Sequence, residues 1–166
     1  SFEVGKRALD FLVENSGTRT NLEVDFFGGE PLMNFQVVKD LVKYARSIEK
    51  EKKKNFRFTL TTNGVLIDDD VIEFANKEMS NVVLSLDGRK EIHDLTRVDY
   101  AGNGSYEKVV PKFQKLVEAR DGKGYYMPGN VQAISNLYDY GVHGPSSTGI
   151  NPFNFNFMLS NGRICP

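Results

Sequence analysis

Three short segments of this chain alternate apolar with polar residues, and that alternation limits the fold more than any other feature. Leu22, Val24 and Phe26 alternate with Glu23 and Asp25. Phe56, Phe58 and Leu60 alternate with Arg57, Thr59 and Thr61, and Asn63 follows in phase. Val82, Leu84 and Leu86 alternate with Ser85 and Asp87. Side chains of a strand point to opposite faces with period two, so each segment predicts a strand with one apolar and one polar face.

Between these strands the apolar period becomes helical. Val4, Ala8, Phe11 and Leu12 predict one helix face. Phe35, Val38, Leu41, Val42, Ala45 and Ile48 predict another, with Asn34 as N-cap. Asp68 can cap a short helix carrying Val71, Ile72 and Ala75. Ser105, after the Asn103-Gly104 turn, can cap a helix bearing Val109, Val110, Phe113, Leu116 and Val117, with Pro111 as a possible distortion. Strands alternating with helices imply βαβ units and a parallel sheet. Strands covered by helices on both faces read as continuous apolar runs, and these do not. The expected fold is therefore α/β, a partial, open parallel barrel whose polar face lines a wet cavity. The competing reading is polar residues facing bulk solvent at a sheet edge. Tyr125 to Met127 is a candidate fourth strand, and the alternation of Phe153, Phe155 and Phe157 with Asn154 and Asn156 is a candidate for one more of the same type. GVHGPSSTG, between them, reads as a loop.

Composition removes several function classes. The 166 residues suit about one domain, and 21 basic against 22 acidic residues give a net charge of -1, which makes no case for nucleic acid or an anionic membrane. Lys50, Lys52, Lys53, Lys54 and Arg57 read as the solvated end of a helix. No apolar run reaches the length of a membrane span, and no signal-peptide pattern begins the sequence. The one cysteine, Cys165, permits no disulfide within the chain and no cysteine-based metal site, so a cytoplasmic setting is expected.

Ligands of parallel α/β folds bind beyond the C-terminal strand ends, where the βα loops gather. Here those ends read FFGGEP, LTTNG and LSLDG. Gly28 and Gly29 let backbone carbonyls approach a ligand and Glu30 adds negative charge, a combination suited to an ammonium group. Ser85 can hydrogen-bond a carboxylate, with Arg97 as a bidentate partner. Asp87, Thr61 and Asn63 offer donors and acceptors for ribose hydroxyls or another polar ligand. An amino-acid-like zwitterion joined to a nucleoside would use all of these groups. Glu23 and Asp25 are candidate acid/base groups, or simply partners of Arg57 across the strands. His93 is read as structural or exposed, and Tyr125 and Tyr126 as core or rim residues.

FFGGEPLMNF, FTLTTNG and VVLSLDGRKEIHDLTR resemble the second, third and fourth strand regions of radical S-adenosylmethionine (SAM) enzymes. The likeness is greatest to the SCIFF maturases, which install thioether crosslinks in cysteine-rich precursor peptides, with anaerobic sulfatase maturases next. The resemblance runs from Phe2 to about Met127, so residues 1–127 are expected to be radical SAM core and 128–166 an unrecognised tail, possibly with one further strand. It implies that Gly28, Gly29 and Glu30 hold the SAM amino group. It also implies that Ser85 and Arg97 meet the methionyl carboxylate, and that Asn63 and Asp87 lie near the cofactor, where Thr61 is placed by its own chemistry. In such enzymes a reduced [4Fe-4S] cluster cleaves SAM to a 5′-deoxyadenosyl radical, which abstracts a substrate hydrogen.

The family's cluster ligands lie in a CxxxCxxC loop after its first strand, and no such motif occurs in this sequence. The resemblance therefore implies an N-terminally truncated piece of a peptide maturase, inactive alone, with the [4Fe-4S] cluster belonging to the parent protein. Two alternatives stand beside it: a non-catalytic SAM or nucleoside-binding module, and an iron-independent α/β-barrel enzyme using Glu23 or Asp25 as base.

Overall fold

The computed structural model describes residues 1–121 and the backbone of 131–134, 157–158 and 164–165. Its sheet is parallel and four-stranded, in the order β1 (Asn21–Phe26), β2 (Asn55–Thr62), β3 (Asn81–Ser85), β4 (Val131–Ile134). Sequence order equals spatial order, as expected when each strand pairs with the next through a helical crossover. The register sets Leu22 beside Phe56, Val24 beside Phe58 and Leu60 beside Val82, so like faces stay together across the sheet. The sheet does not close, and the architecture is a partial, open α/β barrel.

One side of the sheet meets the helices. Helix α2 (Phe35–Lys52) contributes Val38, Leu41, Val42 and Ala45. Helix α3 (Asp69–Glu78) contributes Val71, Ile72 and Ala75, and α5 (Tyr106–Asp121) contributes Val109, Val110, Phe113, Leu116 and Val117. These pack with Leu22, Phe56, Phe58, Leu60, Val82, Leu84 and Leu86 in one cluster. Within it Phe58 stacks between Phe26 and Phe56, with centroid separations of 5.8 and 6.0 Å. The opposite side carries Glu23, Asp25 and Arg57, all exposed, and Thr59 and Ser85, half-buried. Arg57 pairs with Glu23 at 3.3 Å across the strands. Val83 shares that side yet is buried outside the main cluster, so the third strand interrupts the polar face.

Several local expectations are corrected. Helix α1 (Phe2–Asn15) buries Leu9 and packs Leu12 on the core as predicted, while Val4 and Phe11 are about two-thirds exposed, so its inner face is rotated from the predicted one. Gly5 suits this rotation: a Cβ there would lie 2.5 Å from Leu41 Cδ1, so a larger residue would force the Leu41 side chain to shift. Asn34 precedes α2 but makes no side-chain cap, because a 3₁₀ turn over Pro31–Asn34, capped by Glu30, delivers the chain into the helix. Asp68 caps α3 as predicted, accepting from Val71 N at 2.9 Å. Ser105 precedes α5, but its hydroxyl turns away and Asp94 accepts from Tyr106 N instead, at 2.9 Å. Pro111 lies inside α5, which continues to Asp121. Lys54 is not simply solvated; its ammonium donates to the carbonyls of Gly17 and Arg19 at 2.8 and 2.7 Å, fixing the entry to β1.

The fourth strand forms at Val131–Ile134, and the proposed strand at Tyr125 to Met127 lies outside the described residues. Phe157–Met158 pairs antiparallel with Ile164–Cys165 instead of extending the parallel sheet. Phe153, Phe155 and the GVHGPSSTG segment also lie outside the described residues. Among the described residues no helix is long and apolar enough to cross a membrane.

Candidate functional site

The C-terminal ends of β1, β2 and β3 place three loops side by side. In the first, Gly28 and Gly29 adopt φ of +91° and +57°, and a Cβ built on either would meet no atom of the described residues within 4 Å. Backbone of this kind favours glycine, and the space above it is free for a bound group. Phe27, just before, is 72% exposed.

Glu30 follows, and its carboxylate turns into the protein. One oxygen accepts from Leu32 N at 3.1 Å and from Thr62 Oγ1 at 2.7 Å; the other accepts from Asn63 N at 2.8 Å. Thr62 Oγ1 in turn accepts from Gly64 N at 3.0 Å, and Asn63 Oδ1 accepts from Val65 N at 3.0 Å. The first two loops are thus joined through a carboxylate read in the sequence as a free negative charge. Thr62 went unnoticed in the sequence. The signal was there: it falls in the helix-facing phase after Phe56, Phe58 and Leu60, and a buried hydroxyl in that register needs a partner.

On the sheet face below, Thr61 is buried and its hydroxyl lies 3.4 Å from Asp25 Oδ1. Partial desolvation against the sheet raises the Asp25 pKa, and the Thr61 contact opposes the shift. Ser85 ends β3, and its hydroxyl has no hydrogen-bond partner among the described residues.

Beyond β3, Asp87 is buried and accepts from Arg97 Nε at 2.7 Å and Nη2 at 3.1 Å. Arg97, placed by α4 (Lys90–Thr96), is therefore already bidentate with a carboxylate of the protein, and its Nη1 group has no partner among the described residues. His93, also on α4, is fully buried. Its Nδ1 accepts from Asp87 N at 3.3 Å and its Nε2 meets Ser105 Oγ at 3.0 Å, while Ser105 donates to Arg97 O at 2.7 Å. That chain of donors sets a neutral imidazole protonated at Nε2. Burial lowers its pKa, and the nearby Arg97 cation lowers it further. His93 holds the third loop in place.

The structure thus brings Glu30 to Asn63, Thr61 to Asp25 and Asp87 to Arg97, and leaves Gly28, Gly29 and Ser85 without partners among the described residues at the same end of the sheet. A zwitterion fits this division, with carbonyls open at the glycines and a hydroxyl and guanidinium at the third strand. For a cluster the fit fails: one cysteine cannot supply a set of thiolates, and no group of His, Cys, Asp and Glu among the described residues could hold a metal ion.

The chain belongs to the Radical SAM superfamily, whose family model matches residues 7–150. That family's cofactors are SAM and a [4Fe-4S] cluster. A cysteine-type anaerobic sulfatase-maturating enzyme of Clostridium perfringens is 37% identical over 89 residues, covering 51% of this chain and 23% of that protein. A serine-type anaerobic sulfatase-maturating enzyme of Bacteroides thetaiotaomicron is 28% identical over 149 residues, covering 87% of this chain and 30% of that protein. A solved structure of native anSMEcpe with bound AdoMet and Kp18Cys peptide superposes with a TM-score of 0.67 at 25% identity, over 80% of this chain and 34% of that one. The chain spans about a quarter to a third of these relatives' length.

Proposed function

We propose that this chain forms the SAM-binding side of a radical SAM peptide maturase, inactive alone, whose full-length form matures a cysteine-rich precursor peptide by thioether crosslinking. In this reading the carbonyls of the Gly28-Gly29 turn receive the SAM ammonium. Ser85 Oγ and the Nη1 group of Arg97 receive its carboxylate, with Asp87 orienting the guanidinium. Thr61 and Asn63 lie toward the nucleoside, and residues 1–127 form the SAM core. When SAM and the cluster are bound together they supply the radical chemistry, and no residue of this chain is assigned to the cluster. The likeness to sulfatase maturases, one solved with a peptide, supports a peptide substrate. The single cysteine suits a reducing cytoplasm.

One observation carries the reading: an open glycine turn and an unpartnered serine hydroxyl lie at the C-terminal ends of parallel strands. Ser85 is the cleanest probe because its hydroxyl holds nothing else among the described residues. Arg97→Ala would also leave the buried Asp87 carboxylate unpaired and destabilise the fold. In the full-length protein, Ser85→Ala should raise the SAM dissociation constant about ten- to a hundredfold in calorimetry, the loss expected for a hydrogen bond to a charged group. Its melting temperature should stay within about 2 °C of the parent, as for a substitution that breaks no internal contact. Unchanged affinity would remove Ser85 from the site.

A further inference from the structure

We infer that Glu30 acts on SAM through the protein and not by touching it: with Thr62 it forms a staple that fixes the glycine turn against the second strand-end loop. This rests on the SAM reading above and deepens it. Three donors converge on one carboxylate, from Leu32 N, Thr62 Oγ1 and Asn63 N, at 3.1, 2.7 and 2.8 Å. They come from two loops more than thirty residues apart in sequence. A carboxylate gains most from donors that are themselves fixed, and these are. Thr62 is buried at the end of β2, and its hydroxyl also accepts from Gly64 N. The Gly28-Gly29 turn has no support of this kind: both glycines have positive φ, and no atom of the described residues packs above them. Glycine backbone without side-chain contacts has many conformations available, so the nearest anchor decides where its carbonyls point. That anchor is the next residue, Glu30.

A positioning role and direct contact with the ammonium predict different behaviour at Thr62. Thr62→Val keeps the shape and removes the hydroxyl that binds Glu30. Glu30→Gln keeps an oxygen for Leu32 and Thr62 but turns an NH₂ toward Asn63 N, where an acceptor is needed.

The test uses the full-length protein with SAM alone as probe, comparing parent, Glu30→Gln, Thr62→Val and the double variant. Calorimetry gives affinity, and hydrogen-exchange mass spectrometry follows peptides covering residues 28–34 and 61–66. The staple predicts that each single variant weakens SAM about three- to tenfold, with the double variant no worse than the weaker single, since both break one unit. Exchange should rise in both peptides well below the melting temperature. If Glu30→Gln weakens SAM while Thr62→Val leaves affinity unchanged, Glu30 is a direct ligand and the proposal is overturned. Faster exchange with parental SAM affinity in both variants would also overturn it, because the staple would then be structural only. Should the parent not bind SAM, the SAM reading fails, and with it the role assigned to Glu30. The exchange data would still decide whether the staple exists: parental rates in Glu30→Gln would show that it does not.

Discussion

A methyl group added at Gly64 would sit 1.9 Å from Phe113 Cε1, on backbone with φ of +81°. Both the ring and the dihedral therefore demand glycine, at the point where the second strand-end loop leaves β2. Phe113 is itself buried in the core, so the ring cannot give way without disturbing α5. Gly64→Ala should destabilise by about 2 kcal/mol or more, combining left-handed strain with overpacking. Denaturant unfolding checks this. A loss below about 0.5 kcal/mol, the range of inert surface changes, would mean the loop and ring move apart freely. Gly28 and Gly29 differ: their dihedrals also favour glycine, but no packed atom opposes a side chain there. The two kinds of glycine look alike in sequence, and only the surroundings separate a packing requirement from an open surface.

Among the elements, α4 shows how a short helix serves the site. It carries His93 and delivers Arg97 to Asp87, while Ser105 links both back to the start of α5. Tyr106 packs edge-on against the imidazole at 5.7 Å. Because burial lowers the His93 pKa from its ordinary 6.5, the unfolded chain binds a proton there at a higher pH than the folded chain. Between those two values the unfolded state holds more protons, so stability must fall as pH drops through that window. The denaturant midpoint should decline as pH falls through and below the ordinary histidine range, and His93→Gln should flatten that slope. Equal slopes in the two proteins would contradict a buried neutral imidazole. The element pattern itself was largely legible: strand phases, the Asp68 cap and the apolar faces of α2, α3 and α5 all follow from spacing. The face of α1 was not, because its rotation suits the fit of Gly5 to Leu41, a contact between residues far apart in sequence. For the same reason the caps at Asn34 and Ser105 were misread. Each residue sits in the right place, but a 3₁₀ turn capped by Glu30 stands ahead of α2, and Asp94 of α4 bonds the first residue of α5.

For the whole molecule, the arrangement follows from one asymmetry. Apolar strand positions gather α2, α3 and α5 on one side, and the polar positions lie on the other, leading to three loops at one end of the sheet. The residue types at those loops were readable from FFGGEP, LTTNG and LSLDG. Their division of labour was not, since sequence cannot show which carboxylates already have partners inside the protein. Among the described residues Glu30 and Asp87 do, and Ser85 does not. The central claim is that SAM binds where the unsatisfied groups remain. Hydrogen-exchange mass spectrometry of the full-length protein with and without SAM tests it most directly. The account predicts slower exchange with SAM in peptides covering residues 27–30, 61–64 and 85–88, and little change in α1. SAM binding that leaves those three loops unprotected, or protects the α1–α2 surface instead, would contradict it.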